Sequence, residues 1–360
     1  MIFDDVLEIK NGRNQKNVEN PNGKYPIYGS GGIMGYADDY ICEADTVIIG
    51  RKGSINNPIY VEEPFWNVDT AFGLSAKREI LMPRYLYYFC QYFDFERLNK
   101  AVTIPSLTKS DLLKIELKLP TIETQKKIVD RLIKVEQIIQ LKKRKLQKLD
   151  TLVKSRFAEM FGDPIRNPKG WKVVTIGDIV TEVRYGTSKP AVEGGKYPYL
   201  RMNNLTADGH LDLNDLKYID ISDDEVEKCV VRKGDVLFNR TNSIDLVGKT
   251  AVFDLQDDMV IAGYIIRVRL NEKILPEVLS QYMNLEALKD ILRSMAKGAV
   301  NQANINAQEL QSIRVYVPDI ELQKQFVEMK DQVDKSKSKI QKSLEETQLL
   351  FDSLMQKYFG

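Results

Sequence analysis

Histidine and cysteine are scarce in this chain, and their scarcity limits the chemistry that it could perform. The 360 residues include one histidine and three cysteines. Cys42, Cys90 and Cys229 lie far apart and form no metal-ligand spacing. The single histidine, His210, has no second histidine with which to build a catalytic triad or a metal cluster. We therefore expect neither a metal nor a cofactor.

The chain also lacks an excess of charge of either sign and any long apolar run. Its 52 Lys and Arg residues nearly balance 51 Asp and Glu residues, which gives a net charge of +1. This balance does not exclude nucleic-acid binding, because local patches set the field at a binding groove. No apolar run approaches the roughly 20 residues that span a bilayer, and Met1–Asp5 has no signal-peptide character. Together with the odd number of cysteines, these absences predict a cytoplasmic protein that makes no membrane contact.

The strongest pattern present is an internal repeat. The segment from Ala101 to Gly162 recurs at one constant offset, without a gap, from Ala299 to Gly360. The clearest matching strings are Pro-Thr-Ile-Glu-Thr-Gln-Lys at 120–126 and Pro-Asp-Ile-Glu-Leu-Gln-Lys at 318–324. A gapless repeat of this length indicates two copies of one unit, and its period exceeds the roughly 20–50 residues of a solenoid repeat. The sequence therefore predicts two domains in tandem.

Each copy ends in a predicted long helix, 120–162 in the first and 318–360 in the second. Apolar residues recur at alternating steps of three and four, which is the seam of a coiled coil. Such a helix is marginal alone, so we expect the two helices to pair, the alternative being that each packs on its own domain. The expected seam residues are Ile128, Leu132, Val135, Ile139, Leu146 and Leu149 in the first helix, and Val333, Ile340, Leu344 and Phe351 in the second.

The segments 1–119 and 163–317 are predicted to be α+β domains. Both contain short β-rich runs separated by turn signals, with a short helix after Pro83 and another after Pro276. The runs favour a mixed fold with mostly antiparallel strands. Framework residues recur between the two segments whereas the residues between them differ, as expected for one scaffold that carries two different reading surfaces.

Several fragments imitate catalytic motifs, but none is accompanied by the rest of its site. The glycine-rich run Gly29–Gly35 is typical of a turn, because no clear strand precedes it and no helix follows it. The string Asn57-Pro-Ile-Tyr60 is similar to the tetrapeptide of adenine methyltransferases, with isoleucine in place of the second proline. The acidic residues of Pro318–Glu321 suit the first turn of a helix better than a nuclease site. The sequence therefore offers no catalytic constellation.

What remains is a set of polar and basic loops suited to reading DNA. Arginine and lysine can bridge guanine O6 and N7, and asparagine and glutamine can bridge adenine N6 and N7. For each residue the alternative is an ordinary solvated side chain. The candidate base contacts are Arg51, Lys52, Ser54, Arg201, Asn203, Asn204, Asn239, Arg240, Thr241, Asn242, Asn301, Gln302 and Asn304. The candidate phosphate contacts are Arg13, Arg184, Lys189 and Lys249.

On these features the chain resembles the DNA-specificity subunits of type I restriction-modification systems. The resemblance covers nearly the whole chain and rests on the two-copy plan, the junctions 117–125 and 317–323, and the strings at 234–242 and 248–251. It implies two target recognition domains, each followed by a helix. The two helices would pair as an antiparallel coiled coil that separates the domains, and each domain would read one half of a bipartite, asymmetric site in double-stranded DNA.

The resemblance also implies partner proteins that supply the catalysis. The helices would dock two modification subunits, which carry the methyl-donor site and methylate adenine, and restriction subunits with translocase and nuclease activity could join. The chain itself would then not be an enzyme. A self-contained adenine-N6 DNA methyltransferase and a helical scaffold that never contacts DNA stay open as alternatives. The basic run Lys142–Lys145 is either a solvated helix face or a contact with DNA between the half-sites.

Overall fold

The computed structural model describes residues 1–99, 104–299 and 302–360, which form two compact units. Unit 1 comprises Met1–Arg144 and Ile340–Gly360, and unit 2 comprises Lys145–Lys339. Both units combine a mixed α+β domain with parts of two long helices, so the predicted fold class is confirmed. Within the described ranges, none of the helices combines the length and the apolar character needed to span a bilayer.

Unit 1 contains the first strands and helices of the chain. Its strands are β1 (Leu7–Asn11), β2 (Tyr25–Gly29), β3 (Gly32–Ala37), β4 (Thr46–Gly50), β5 (Ile59–Val61), β6 (Trp66–Asn67) and β7 (Ala71–Ala76). Its helices are α1 (Phe3–Val6), α2 (Pro83–Tyr92) and α3 (Lys109–Leu112), and a 3-10 turn spans Phe95–Leu98. The long helix α4 (Ile122–Phe161) starts in unit 1 and continues into unit 2.

Unit 2 contains the remaining strands, helices and 3-10 turns. The strands are β8 (Lys172–Thr175), β9 (Val180–Tyr185), β10 (Tyr197–Leu200), β11 (Lys217–Ile219), β12 (Val230–Val231), β13 (Val236–Asn239), β14 (Thr241–Asn242), β15 (Thr250–Val252), β16 (Met259–Ile261), β17 (Ile265–Leu270), β18 (Lys297–Ala299), β19 (Gln302–Asn304) and β20 (Arg314–Val317). The helices are α5 (Asp223–Cys229), α6 (Pro276–Met283), α7 (Glu286–Met295), α8 (Ala307–Ser312) and α9 (Ile320–Phe359), the last of which ends in unit 1. Two 3-10 turns cover Ile176–Ile179 and Met202–Asn204.

The main sheets of the two units have the same strand order. In unit 1 an antiparallel sheet runs β1-β7-β4-β5, and in unit 2 the corresponding sheet runs β9-β17-β13-β15. Each unit also has a second sheet in which one pair is parallel, β2 with β6 and β10 with β16. The other strand pairs formed by the described residues are antiparallel, which confirms the prediction of mostly antiparallel strands. The shared strand order makes β4 of unit 1 the counterpart of β13 of unit 2.

The long helices pair in opposite directions within unit 1. The guanidinium of Arg131 donates to the hydroxyl of Tyr358 at 3.2 Å. Further along α4, the ammonium of Lys142 donates to the carbonyl of Ser343 at 2.8 Å and to the hydroxyl of Thr347 at 2.5 Å. Because the partner number falls in α9 as the residue number rises in α4, the pairing is antiparallel. Lys142 is therefore a polar member of the seam and not a free surface cation.

The same pairing occurs within unit 2, between the other halves of the helices. The rings of Phe157 and Phe161 lie 5.3 Å and 5.5 Å from the ring of Phe326. Lys337 forms an ion pair with Asp150 at 2.6 Å. Each helix therefore supplies buried residues to the cores of both units. The two arrangements considered from the sequence, pairing of the helices and packing of a helix on a domain, occur together.

Every predicted seam residue is buried or half-buried in the structure. The buried ones are Ile128, Leu132, Ile139 and Val333, and the half-buried ones are Val135, Leu146, Leu149, Ile340, Leu344 and Phe351. The deeply buried residues at the C-terminal ends, Phe157 and Phe161 in α4 and Met355 and Phe359 in α9, were not among those predicted. These residues do not occupy predicted seam positions, because the helix ends face the domain cores as well as the other helix.

A buried glutamine starts each long helix and fixes it to its domain. Gln125 accepts a hydrogen bond from the N–H of Met82 at 2.8 Å and donates to the carbonyls of Ile80 and Pro120 at 2.8 and 2.9 Å. This side chain is fully buried. A buried amide is stable only when its donors and acceptor are paired, so this polar residue is a structural part of the domain.

Gln323, at the matching position of the repeat, makes the same three contacts in unit 2. It accepts from the N–H of Leu275 at 2.8 Å and donates to the carbonyls of Lys273 and Pro318 at 3.0 and 2.8 Å. In both units the accepted N–H belongs to the residue before the proline that starts a short helix, α2 or α6. The glutamine thereby joins the start of the long helix to the start of the short one.

We expect Gln323→Leu to lower the free energy of unfolding by about 1–3 kcal/mol, since Leu275 N–H and two carbonyls would have no partner in the interior. The measurement is denaturant unfolding followed by circular dichroism. Gln325→Leu, on the exposed face of the same helix, is the matched control and should change stability by less than about 0.5 kcal/mol. Equal effects of the two substitutions would contradict the assigned role.

Candidate nucleic-acid interface

The loop that follows β4 contains three predicted base contacts, Arg51, Lys52 and Ser54, and all three are exposed. The backbone of Arg51 is fixed on both sides. Its N–H donates to the carbonyl of Thr70 at 2.8 Å, and its carbonyl accepts from the N–H of Leu107 at 2.9 Å. A fixed backbone with exposed polar side chains is the arrangement expected of a reading loop.

The loop that follows β13 is fixed in the same way around Arg240. Its N–H donates to the carbonyl of Tyr264 at 3.0 Å, and its carbonyl accepts from the N–H of Ile305 at 2.9 Å. Ile305 and Leu107 occupy the same position of the internal repeat. Arg240 and Arg51 are therefore structurally equivalent, as the match between the two sequence copies predicts.

The polar residues on either side of Arg240 brace the loop from within. Asn239 is fully buried, and its amide donates to the carbonyls of Thr241 and Tyr264 at 3.3 and 3.2 Å. The amide of Asn242 donates to Asn239 Oδ1 at 2.9 Å, and the hydroxyl of Thr241 donates to Asn304 Oδ1 at 3.2 Å. Base contact by these four predicted residues stays a prediction, whereas their present hydrogen bonds are internal.

The guanidinium of Arg240 lies against an aromatic ring. Its Cζ is 5.0 Å from the centre of the Tyr185 ring, within the range of a cation–π interaction. Its Nε is buried and has no hydrogen-bond partner among the described residues. The ring and the fixed backbone together restrict the directions in which this cation can point.

Arg240 lines a cleft of about 550 Å³ in unit 2. The walls come from the segments 187–191, 201–203 and 262–264, together with Tyr199. These segments follow β9, β10 and β16, so the cleft lies beyond the ends of strands from two different sheets. It brings together four predicted residues from three separate stretches of the chain: Lys189, Arg201, Asn203 and Arg240.

Two of the cations that line this cleft already have acidic partners. Lys189 forms an ion pair with Glu225 at 2.5 Å, and Arg201 forms one with Asp215 at 2.6 Å. Arg240 forms no ion pair with any residue that the structure describes. It is therefore the cation in the cleft whose charge is least compensated.

Asn204 and Lys249 lie in the interior below the cleft. The amide of Asn204 donates to the carbonyl of Asp212 at 2.8 Å. The ammonium of Lys249 donates to the carbonyls of Met202 and Leu205 at 2.9 and 2.5 Å, and burial lowers the pKa of this amine. Both side chains hold the turn at 202–204 in place, and their contact with DNA stays a prediction.

The remaining predicted residues are spread over several loops. Arg184 is exposed and pairs with Glu182 at 3.0 Å, and Arg13 is exposed in unit 1. Gln302 belongs to β19, and Asn301 lies outside the described residues.

Two tyrosines that contact Arg240 are absent from the sequence-based prediction. Tyr185, at the end of β9, and Tyr264, in the turn before β17, are 43% and 50% exposed. Neither is near Arg240 in sequence, and no motif surrounds them. Only the register of β9, β17 and β13 brings them together.

The fragments that imitate catalytic motifs have structural roles. Tyr60, in the methyltransferase-like string, donates to Asp45 Oδ1 at 2.8 Å, and the guanidinium of Arg84 lies 4.3 Å from its ring centre. The glycine-rich run forms the hairpin between β2 and β3. His210 lies 3.7 Å from Asp334 and 3.9 Å from Asp208. In the ranges that the structure describes, no group of His, Cys, Asp and Glu has the arrangement of a metal site.

Comparison with known proteins identifies the family. Residues 3–151 and 168–347 match the type I restriction modification DNA specificity domain. The chain is 30% identical over 196 residues to a putative type I restriction enzyme specificity subunit, MjaX, of Methanocaldococcus jannaschii, covering 53% of this chain and 46% of that protein. It is 26% identical over 335 residues to the EcoKI specificity subunit of Escherichia coli K12, covering 86% of this chain and 72% of that protein. The chain thus spans less than half the length of the first relative and about three quarters of the second.

Solved structures show the same fold. The S subunit of a type I restriction-modification system from M. genitalium matches with a TM-score of 0.63 at 17% identity, covering 100% of this chain and 95% of that one. A chain from a study of the assembly and conformational transition of the type I R-M system matches with a TM-score of 0.59 at 19% identity, covering 100% and 96%. With two domain matches that cover most of its length, the chain belongs to the type I restriction-modification DNA specificity family.

Proposed function

We propose that this chain reads a bipartite, asymmetric DNA site, with one half-site for each recognition domain, 1–119 and 163–317. The observation that carries the proposal is the equivalence of the loops after β4 and β13. They share backbone hydrogen bonds but present different side chains, Arg51-Lys52-Gly53 in one and Arg240-Thr241-Asn242 in the other. Equivalent scaffolds with unequal reading residues suit a site whose two halves differ.

The two loops also differ in how their arginines are held. Arg51 is exposed, and its Nη1 reaches the carbonyl of Asp69 only at 3.5 Å. Arg240 is half-buried and packs on Tyr185. We propose that base contacts by these loops specify the DNA sequence. Phosphate contacts by Arg13, Arg184 and Lys189 would fix the register of the protein on the duplex.

We further propose that the helix segments 120–162 and 318–360 dock two modification subunits, to which restriction subunits can be added. Support comes from apolar side chains on the outer faces of the helices in unit 1, where Ile138, Leu141, Leu349 and Leu350 are exposed. A partner that covers these side chains would remove apolar surface from water. Cytoplasmic localisation follows from the proposed substrate and remains a prediction.

Arg240→Ala and Arg51→Ala are expected to weaken binding at different half-sites. Each substitution should cost about 1–3 kcal/mol on duplexes that carry its own half-site, and relax selectivity there, because alanine cannot replace the guanidinium donors of a bidentate base contact. The measurement is competition binding by the assembled complex with duplexes in which one half-site at a time is scrambled. Lys233→Ala, exposed at the opposite end of β13, is the control. If both arginine substitutions weaken binding equally on every sequence, base reading at these positions is wrong.

The chain alone is expected to transfer no methyl groups to DNA. Incubation with methyl donor and a duplex containing the selected motif should give adenine methylation only after the modification subunits are added. Methylation by the purified chain would support the alternative of a self-contained methyltransferase. Failure to select any bipartite motif from random duplexes would instead support the scaffold alternative.

The exposed residues Lys143, Arg144 and Lys145 are expected to contact phosphates between the half-sites. Replacing all three by glutamine should reduce the slope of log K against log salt by roughly 0.9 for each phosphate that the protein no longer neutralises, while the selected motif stays unchanged. Lys154→Gln, exposed further along α4, serves as a single-charge control. An unchanged slope in the triple variant would mean that this run is a solvated helix face.

A further inference from the structure

We infer that Arg240 reads a guanine in the half-site of the second domain and that Tyr185 is the residue that positions it. The inference rests on the proposed function and adds to it a base identity and a supporting side chain. Four features of unit 2 carry it: the fixed tyrosine, the uncompensated charge, the geometry of the donors and the contrast with unit 1.

The ring of Tyr185 is itself held in place. Tyr185 is the last residue of β9, where it pairs with Ile266 of β17. At the other end of the side chain, its hydroxyl accepts a hydrogen bond from the N–H of Ala307 at 2.8 Å. A ring that is anchored at both the backbone and the hydroxyl offers a fixed platform for the guanidinium that lies 5.0 Å from its centre.

Arg240 is the member of the cleft that retains its full charge for a ligand. Lys189 and Arg201 are paired with Glu225 and Asp215. No carboxylate pairs with Arg240 among the residues that the structure describes, and its Nε is already shielded from solvent. Its terminal nitrogens are therefore the donors that remain for a partner.

The donors of a guanidinium match guanine better than adenine. Guanine presents two adjacent acceptors, O6 and N7, in the major groove, whereas adenine presents one acceptor beside a donor. A fixed ring beside the guanidinium restricts the directions in which its terminal N–H groups can form two parallel hydrogen bonds. Because the side chain then gives up less entropy on binding, the contact has both higher affinity and higher selectivity.

Unit 1 has no tyrosine at the equivalent position. Asn11 occupies the position of Tyr185, because Asn11 is opposite Phe72 in β7 as Tyr185 is opposite Ile266 in β17. Arg51 is exposed, and the ring centre of Phe72 lies 5.9 Å from its guanidinium. Arg51 thus has an aromatic contact near the outer limit of the cation–π range and, among the described residues, no hydrogen-bonded tyrosine, so the effect of Tyr185 is specific to one half-site.

The test uses the full chain in complex with its modification subunits and a duplex carrying the selected bipartite motif. Each guanine of the motif is replaced in turn by 7-deazaguanine, which lacks the N7 acceptor, and each in turn by adenine. The dissociation constant is measured for the wild type, Tyr185→Leu, Tyr185→Phe and Arg240→Gln. Tyr218→Leu, a tyrosine with the same 43% exposure on β11, is the matched control.

In the half-site of the second domain, for the wild type and Tyr218→Leu, we expect one guanine at which 7-deazaguanine weakens binding roughly 10-fold, in line with the value of a bidentate base contact. Tyr185→Leu should reduce the effect of 7-deazaguanine at this guanine to about 2-fold or less. Tyr185→Phe should keep most of the effect because the ring remains. Arg240→Gln should abolish the effect. At every guanine of the other half-site these variants should behave like the wild type.

Three outcomes would overturn the inference. Wild-type binding that is insensitive to 7-deazaguanine at every guanine excludes guanine N7 reading. Uniform weakening of all duplexes by Arg240→Gln makes the residue a phosphate contact. Full retention of the 7-deazaguanine effect in Tyr185→Leu removes the positioning role. If Tyr185→Leu does not fold, the scan of the wild type and Arg240→Gln still decides the guanine contact. A 7-deazaguanine effect in Tyr185→Phe that is smaller than in the wild type then shows that the hydroxyl anchor helps to position Arg240. Absence of any selected motif would instead mean that the proposed function fails.

Discussion

The burial of the two helix seams is the constraint on which the rest of the structure depends. Each of the two 40-residue helices is too polar overall to be stable in isolation, so its apolar stripe must be covered. The other helix and the domain cores cover it together: Ile128 and Leu132 of α4 share one cluster with Met355 and Phe359 of α9, and Phe157 shares another with Phe326. Separation of the paired helices would therefore open both cores at once.

The loops that carry the candidate reading residues depend on this frame through their backbones. Leu107 and Ile305, whose N–H groups donate to the carbonyls of Arg51 and Arg240, lie in the segments that lead into the long helices. The fully buried glutamines Gln125 and Gln323 fix the first turn of each helix to the preceding domain. A side chain can select one base only when its supporting backbone is rigid, so the framework is the same in both copies while the exposed side chains differ.

The sequence predicts the helices and their seam well because a step of three and four between apolar residues is a local pattern that can be read from the chain itself. It predicts the terminal phenylalanines poorly, since Phe157 and Phe161 face a domain core whose position no local pattern encodes. Residue type also cannot separate an exposed polar side chain from a buried one: Asn239 and Lys249 have the chemistry of DNA contacts but are hydrogen-bonded inside the domain. Tyr185 escaped prediction for a third reason, because strand register alone brings it to Arg240.

Unit 1 is assembled from two pieces of chain that are far apart in sequence, Met1–Arg144 and Ile340–Gly360. Met355 and Phe359 complete its core, and the side chain of Lys118 donates a hydrogen bond to the carbonyl of Gly360. During synthesis on the ribosome, the amino-terminal domain must therefore wait for the last turns of α9, although it is translated first. Unit 2, which is continuous from Lys145 to Lys339, has all its segments available earlier. A nascent chain released before those last turns would thus leave its first domain unfinished and its second one whole.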